Sequence, residues 1–261
     1  MERASTGRWL RRAASLAICL AFWQVASRFK LDLGIVTFQN VPSPVDVARA
    51  GLDFLQSPRF ATHVASSVKR VLAGFALAAL IGIALGLVIG RSRRLRDFLQ
   101  TPLEILRPIP AVAWIPLAVL MFPSSELSMI YITFTGALFP IVLNTVHGVE
   151  HVDPRLIASA RSLGSTRAAM LFEVILPAAA PNIVTGLVIG MGTCWFCLVT
   201  AEMISGQFGI GYYTWESYTL QNYPEIIVGM ILIGLLGLGS SLLLRAAGKA
   251  ALPWHRQENS R

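Results

Sequence analysis

Five long apolar runs without a charged residue limit what this chain can fold into. Val71–Gly90 spans 20 residues, Pro108–Ser125 18, Leu127–Val149 23, Val174–Ala201 28 and Ile226–Leu244 19. A helix rising 1.5 Å per residue needs about 20 apolar residues to cross about 30 Å of hydrocarbon. The runs meet that length and are too dry for helices of a soluble core. Spanning strands alternate in pieces of about ten residues, and these runs do not alternate. Only helices and closed barrels satisfy their own backbone in lipid. The sequence therefore reads as an all-α polytopic membrane protein.

Composition agrees. Hydrophobic residues make up 54% of the 261 positions and charged residues 14%, against roughly 25% charged in a soluble domain. This apolar excess excludes intrinsic disorder, and three cysteines exclude a small disulfide scaffold. A sixth apolar segment, Ala13–Ser27, follows Arg3, Arg8, Arg11 and Arg12. That is also the outline of a signal peptide, with Val25-Ala26-Ser27 as a cleavage site. Read as a retained helix extending toward Phe29, it brings the count to about six transmembrane helices.

The net charge of +8 would suggest nucleic acid in a soluble protein. Here its placement matters more. Sixteen of the 22 Lys and Arg residues fall in segments 1–12, 91–107, 155–167 and 245–261, and six fall in 28–70. Membrane proteins accumulate these residues on cytoplasmic loops, so both termini are expected inside. The basic charge is then topology, and nucleic acid is not an expected partner. Lys69-Arg70 sit at an outer mouth, where they can snorkel. Residues 30–62 form an outer connection. Val41-Pro42-Ser43-Pro44 is stiff and extended, and Ser43 or Asp46 can cap a short helix through Phe54 with Val45, Ala48 and Leu52 on one side. Such a helix on the outer membrane surface and a plain connector are both open.

The inner loop 151–177 carries more information. Asp153 suits an N-cap and Pro154 the first helical position. Leu156, Ala160 and Leu163 follow at i, i+4 and i+7 on one face. Gly164 can take the left-handed conformation that ends a helix. Ser165 or Thr166 can cap a second helix that stops near Pro177. Ala158, Ser159 and Ala160 are small, so another protein can approach closely.

This loop resembles the E-A-A-x3-G-x9-I-x-L-P loop of ATP-binding-cassette (ABC) importer permeases. Here it reads Ala158-Ser159-Ala160, Gly164 and Val174-Ile175-Leu176-Pro177. Further stretches are similar to the nitrate, sulfonate, taurine and bicarbonate branch: Ser67–Phe75, Arg107–Leu117, Ala201–Ile204 and Gly209–Tyr212. The family glutamate is replaced by Ala158, and the alanine after it by Ser159. The resemblance implies a type I ABC importer permease (MetI-like) fold. It implies a permease domain over residues 60–245, an N-terminal segment over residues 1–59 that holds the first helix and an outer stretch, and a cytoplasmic tail over residues 246–261. It implies a second permease copy (a homodimer), a cytosolic ABC ATPase dimer, and a periplasmic or lipid-anchored solute-binding protein. Coupling to the ATPase falls to Asp153, Ala158, Ser159, Ala160, Gly164, Leu176 and Pro177. The implied location is the bacterial inner membrane.

Catalytic, cofactor and metal sites are not expected. None of Lys30, Lys69 and Lys249 lies in G-x-x-x-x-G-K-[ST], so ATP hydrolysis belongs to a separate subunit. Cys194 and Cys197 lie mid-span in apolar sequence and read as packing. His63, His147, His151 and His255 offer no metal set. Glu104 and Arg107 can pair at i, i+3. Pro108, Pro110 and Pro116 interrupt their helix, which is tolerated where it faces protein or a cavity. Candidates for a translocation path are Pro110, Trp114, Asn144, Trp195 and Glu202. Asn144 can bond between helices, and Glu202 reads as a gate, a loop anchor or an ordinary interfacial charge. Close helix approach in a two-fold dimer is expected at Gly186, Gly190, Gly192, Gly229, Gly234 and Gly237. A stand-alone secondary transporter would favour internal repeats and buried ionisable residues. A membrane enzyme would need clustered His, Asp, Glu or Cys.

Overall fold

The computed structural model describes residues 2–35 and 37–256, so positions 257–261 of the expected tail lie outside the described residues. The architecture is helical: α1 (Glu2–Arg28), α2 (Pro44–Gln56), α3 (Pro58–Arg91), α4 (Arg93–Leu106), α5 (Ile115–Met121), α6 (Ser125–Glu150), α7 (Pro154–Ser162), α8 (Arg167–Ala169), α9 (Leu176–Ser205), α10 (Ile210–Thr219) and α11 (Tyr223–Ala251). Among the described residues four helices are long and apolar enough to cross a bilayer, or five if the bent pair described below is one span. The first apolar segment is helical over Glu2–Arg28 but is not among the four. It exposes Leu16, Ile18, Leu20 and Phe22 on all sides.

Pro108–Ser125 does not form one straight helix. Arg93–Leu106 and Ala111–Met121 meet at 83°. Pro108 and Pro110 sit in the break; each lacks an N–H and its ring crowds the preceding turn, and the backbone turns extended at Pro110, with ψ 135°. The Glu104–Arg107 pair does not form either. Glu104 Oε1 accepts from Gln100 Nε2 at 2.7 Å, one turn earlier.

Contacts divide the chain into two compact units. The first joins Met1–His63 to Tyr213–Leu232. Its α2 begins with a capping box, in which Ser43 Oγ accepts from Asp46 N–H and Asp46 Oδ2 accepts from Ser43 N–H. These hydrogen bonds hold the Asp46 carboxyl below its usual pKa. α2 turns Val47 and Phe54 inward against Tyr213 and Val228, and Phe54 stacks on Tyr213 at 4.0 Å. Val45 and Leu52 face outward.

The second unit joins Val64–Tyr212 to Ile233–Arg261. α6 is its central element. It runs parallel to α3, with Gly74 opposite Thr133, Gly82 opposite Ile141, Gly86 opposite Thr145 and Gly90 opposite Val149. It runs antiparallel to α9, with Gly136 against Cys197, Asn144 against Gly186 and Gly148 against Asn182. A Cβ on Gly74 would lie 2.8 Å from Thr133 Cβ and 2.9 Å from the Ile130 carbonyl oxygen. Gly186 and Gly190 are thus used within the subunit rather than left for a second copy. Gly229 lies against Thr214 and Gly237 against Trp195, while Gly192 and Gly234 have open space beside them.

Two substitutions separate these cases. Gly74→Ala pushes a methyl into a backbone carbonyl and should destabilise by about 1–3 kcal/mol. Gly192→Ala meets nothing and should be neutral or stabilising by up to about 1 kcal/mol through the unfolded chain. Thermal unfolding of the purified variants in one detergent reads the contrast; equal shifts would contradict the packing described.

Candidate functional site

The loop between α6 and α9 forms as its caps dictate. Asp153 Oδ1 accepts from Arg155 N–H at 2.8 Å, and Pro154 opens α7. The helix closes with Gly164 N–H on the Arg161 carbonyl at 3.0 Å and Ser165 N–H on the Ala160 carbonyl at 3.1 Å. That pattern needs a left-handed residue at its bend, and Gly164 has φ +77°. Thr166 Oγ1 then accepts from Ala169 N–H at 3.2 Å.

The packed face differs from the expected one. Ala160 and the half-buried Ile157 dock on Val152, Met170 and Ile175. Leu156 and Leu163 point outward and are exposed, as are Ala158 and Ser159. The second short helix does not stop near Pro177. A π-helical segment, Met170–Ile175, carries it into α9 as one unbroken helix, Arg167–Ser205. Pro177 has no N–H and its ring crowds the preceding turn. The wider turn, with Leu176 N–H on the Leu171 carbonyl, accommodates it. Leu176 and Pro177 are half-buried at this junction. Glu150, at the end of α6, pairs with Arg96 of α4 at 2.8 Å.

A second constellation lies at the opposite end of α9. Glu202 is fully buried. Its Oε1 accepts from Arg70 Nη1 at 2.8 Å and Ser67 Oγ at 2.8 Å, and its Oε2 accepts from Gly211 N–H at 2.9 Å. Ser67 Oγ in turn accepts from Ile210 N–H at 2.9 Å. Arg70 donates further to the Phe208 carbonyl and grips Glu126 of α6 through Nε and Nη2. Arg70 therefore does not snorkel, and is 3% exposed. Every ionised group has an opposite charge or a dipole, as burial requires. Loop 206–209 wraps the carboxylate closely. Gly209 has φ +132°, and a side chain there would collide with the Glu202 carboxylate. Glu202 thus anchors a loop. The sequence reading missed Ser67 and Glu126 and misplaced Arg70. The signal it had was that two of its family-like stretches carry ionisable residues in apolar surroundings, Lys69 and Arg70 in Ser67–Phe75 and Glu202 in Ala201–Ile204.

The five path candidates do not gather around one cavity. Pro110 is exposed at the break before α5, and Trp114 packs beside the cluster containing Ile115. Asn144 Nδ2 donates to the Pro140 carbonyl of its own helix at 2.8 Å, not to a neighbour. Trp195 is buried, and its Nε1 donates to Ser240 Oγ of α11 at 2.9 Å. A cleft of about 980 Å³ opens instead between α9 and α11, walled by Val184, Val188, Ile189 and Leu252 with Arg245 and Lys249. Cys194 and Cys197 are buried in the packed core. Among the described residues no three His, Cys, Asp or Glu side chains form a metal-binding group.

Residues 60–256 match the family described as the binding-protein-dependent transport system inner membrane component. The chain belongs to this family of ABC importer permeases. An ABC transporter permease protein of Methanocaldococcus jannaschii is 44% identical over 173 residues, 66% of this permease and 65% of that protein. The nitrate import permease NrtB of Synechocystis is 35% identical, covering 88% of this permease and 84% of its own length. An aliphatic sulfonates transport permease, SsuC of Bacillus subtilis, is 31% identical, covering 94% and 88%. Among solved structures, a chain of a bacterial alginate ABC transporter, in complex with an alginate-bound periplasmic protein, superposes with a TM-score of 0.62. The match has 15% identity and covers 96% of this permease and 97% of that chain. An amino acid ABC transporter matches at 0.59, with 17% identity and coverage of 79% and 96%. These two show the shared fold. The permease is a multi-pass inner-membrane component of a binding-protein-dependent importer, from a family without an ATPase domain.

The ionic network makes a rank-order prediction. Arg70→Ala leaves Glu202 buried without its cation and should cost about 3–5 kcal/mol. Glu126→Gln removes the partly exposed partner and should cost under about 1 kcal/mol. Unfolding of both variants in detergent should show Arg70→Ala as much the worse; parity would place the stabilisation elsewhere.

Proposed function

We propose that two copies of this permease enclose a path for a small anion of the nitrate, sulfonate, taurine or bicarbonate type. A solute-binding protein delivers the anion outside, and a cytosolic ATPase dimer drives transport inside. The relatives named for nitrate and sulfonate support the substrate class. The charge bias supports cytoplasmic termini. The working division is 1–59 for the first helix and outer segment, 60–245 for the permease domain and 246–261 for the tail.

The observation that carries the coupling role is the outward stripe of α7. Leu156 and Leu163 stand exposed on a short helix capped at Asp153 and closed at Gly164. Ser159 beside them and Ala158 farther round the exposed arc are both small, so an ATPase groove can close over the helix. Ala160 and Ile157 seat the helix on Met170 and Ile175, with Leu176 packed beside the same cluster and Pro177 next to it at the start of α9. Displacement of α7 is then passed to a continuous helix rather than lost in a flexible loop.

Gly164 has open space beside it, so a substitution there acts through backbone conformation alone. A β-branched residue costs of order 1 kcal/mol or more at positive φ. Gly164→Val should leave insertion intact while lowering co-purification of the ATPase and uptake. Unchanged assembly and uptake would remove α7 from the coupling role. Reporter fusions after residues 95 and 165 should read inside, and those after 45 and 215 outside; the reverse pattern would overturn the topology.

A further inference from the structure

Six Lys and Arg residues lie between 28 and 70, against the charge bias of the rest of the chain. Arg70 is accounted for by the ionic network. Three others converge elsewhere. Arg28, Lys30 and Arg49 line a pocket of about 620 Å³ within the first unit. Among the described residues none of the three forms an ion pair. Asp46 is the one acid in the lining, and its carboxylate is already engaged by Ser43 N–H and O–H in the cap of α2. The pocket therefore carries excess positive charge.

A second observation points into the same space. Ser27 also lines the pocket. It is 8% exposed, and its hydroxyl has no hydrogen-bond partner. Buried hydroxyls are nearly always partnered. An oxyanion entering here would accept from Ser27 as well as from the cations.

The level of the pocket is set by two helices of the same unit. It lies where the apolar run of α1 ends, at Ser27 and Arg28, and where α11 begins, at Tyr223 and Pro224. Trp23 Nε1 donates to the carbonyl of Pro42, another lining residue, at 3.0 Å. Trp and Tyr concentrate at the membrane–water boundary. Val45 of the lining is exposed, and the lining residues are neighboured in sequence by further exposed apolar side chains: Phe29 between Arg28 and Lys30, Leu33 beyond α1, and Leu52 one turn after Arg49 on α2. A soluble partner or a small solute has no use for that apolar rim, whereas a lipid surface matches it.

We propose that this pocket is a headgroup site for an anionic phospholipid. The phosphodiester oxygens accept from Arg28, Lys30, Arg49 and the Ser27 hydroxyl, and the acyl chains lie along the exposed apolar surface of α1. The inference does not depend on which solute the permease carries. The bound lipid fixes the end of α1 against α2 at headgroup depth.

The test uses the full chain, purified in neutral detergent with its partner subunits. Native mass spectrometry follows titration with dioctanoyl phosphatidylglycerol, dioctanoyl phosphatidylcholine or inorganic phosphate. The wild type should bind phosphatidylglycerol at least tenfold more tightly than phosphatidylcholine. The triple variant Arg28→Gln, Lys30→Gln, Arg49→Gln should lose that preference. Ser27→Ala should weaken phosphatidylglycerol severalfold with every charge in place, which general surface electrostatics would not do. Equal binding of the two lipids by the wild type, or a preference that survives in the triple variant, overturns the proposal. So does inorganic phosphate that binds as tightly as phosphatidylglycerol and displaces it. If the triple variant does not fold, Lys30→Gln and Ser27→Ala alone decide, and wild-type lipid selectivity in both rejects the site.

Discussion

Helices in a bilayer gain little from hiding apolar surface from one another, because lipid is as apolar as leucine. Their association depends on close van der Waals contact and on interhelical hydrogen bonds. The second unit meets that constraint by setting glycine against larger residues along α6. On one side α3 supplies the glycines and α6 the Thr, Ile and Val side chains; on the other, α6 supplies Gly136 and Gly148 and α9 supplies Gly190 and Gly186 between them. One helix thus serves as receptor and donor of shape at once. The four-residue spacing of Gly82, Gly86 and Gly90 keeps the groove on one face of α3.

Prolines place a second demand on the same helices, since each removes an N–H and frees a carbonyl one turn earlier. The structure answers it locally. Pro140 leaves the Gly136 carbonyl without its helical donor, and Thr193 Oγ1 of α9 stands 2.9 Å from that oxygen. Thr193 is therefore a joint between α6 and α9 as well as a packing residue. At Pro177 the helix widens into a π turn. At Pro108 and Pro110 no such repair is made, and the helix direction changes by 83°. Hydrophobic runs alone do not distinguish these three outcomes. The difference lies in what the neighbouring element offers the freed carbonyl.

This explains what was legible in the sequence. Length and apolarity marked the spans, and the caps at Ser43, Asp153, Thr166 and Gly164 could be read because capping is local chemistry. Direction and partner were less accessible. Period placed Leu156, Ala160 and Leu163 on one side of α7, but the buried side is centred on Ala160 and Ile157. A short helix with apolar residues around much of its circumference does not declare which arc is covered. Gly186 and Gly190 announced close approach without saying to what. Glu202 was visible as an isolated acid, yet its partners Ser67 and Arg70 lie 135 and 132 residues away. Such pairings are set by helix order in space, which no local pattern encodes.

The same helix order gives α9 a particular place. Its N-terminal end receives α7 through the π segment, and its C-terminal end carries Glu202. Between Leu176 and Glu202 lie about 40 Å of helix at 1.5 Å per residue. The two ends are held in opposite manners. At the first, α7 rests on apolar contacts alone and leaves Leu156 and Leu163 exposed. At the second, a carboxylate with no exposure is fixed by an arginine, a serine and a backbone N–H. Helix continuity through Pro177, by way of the π turn, joins these two differently held ends in one element.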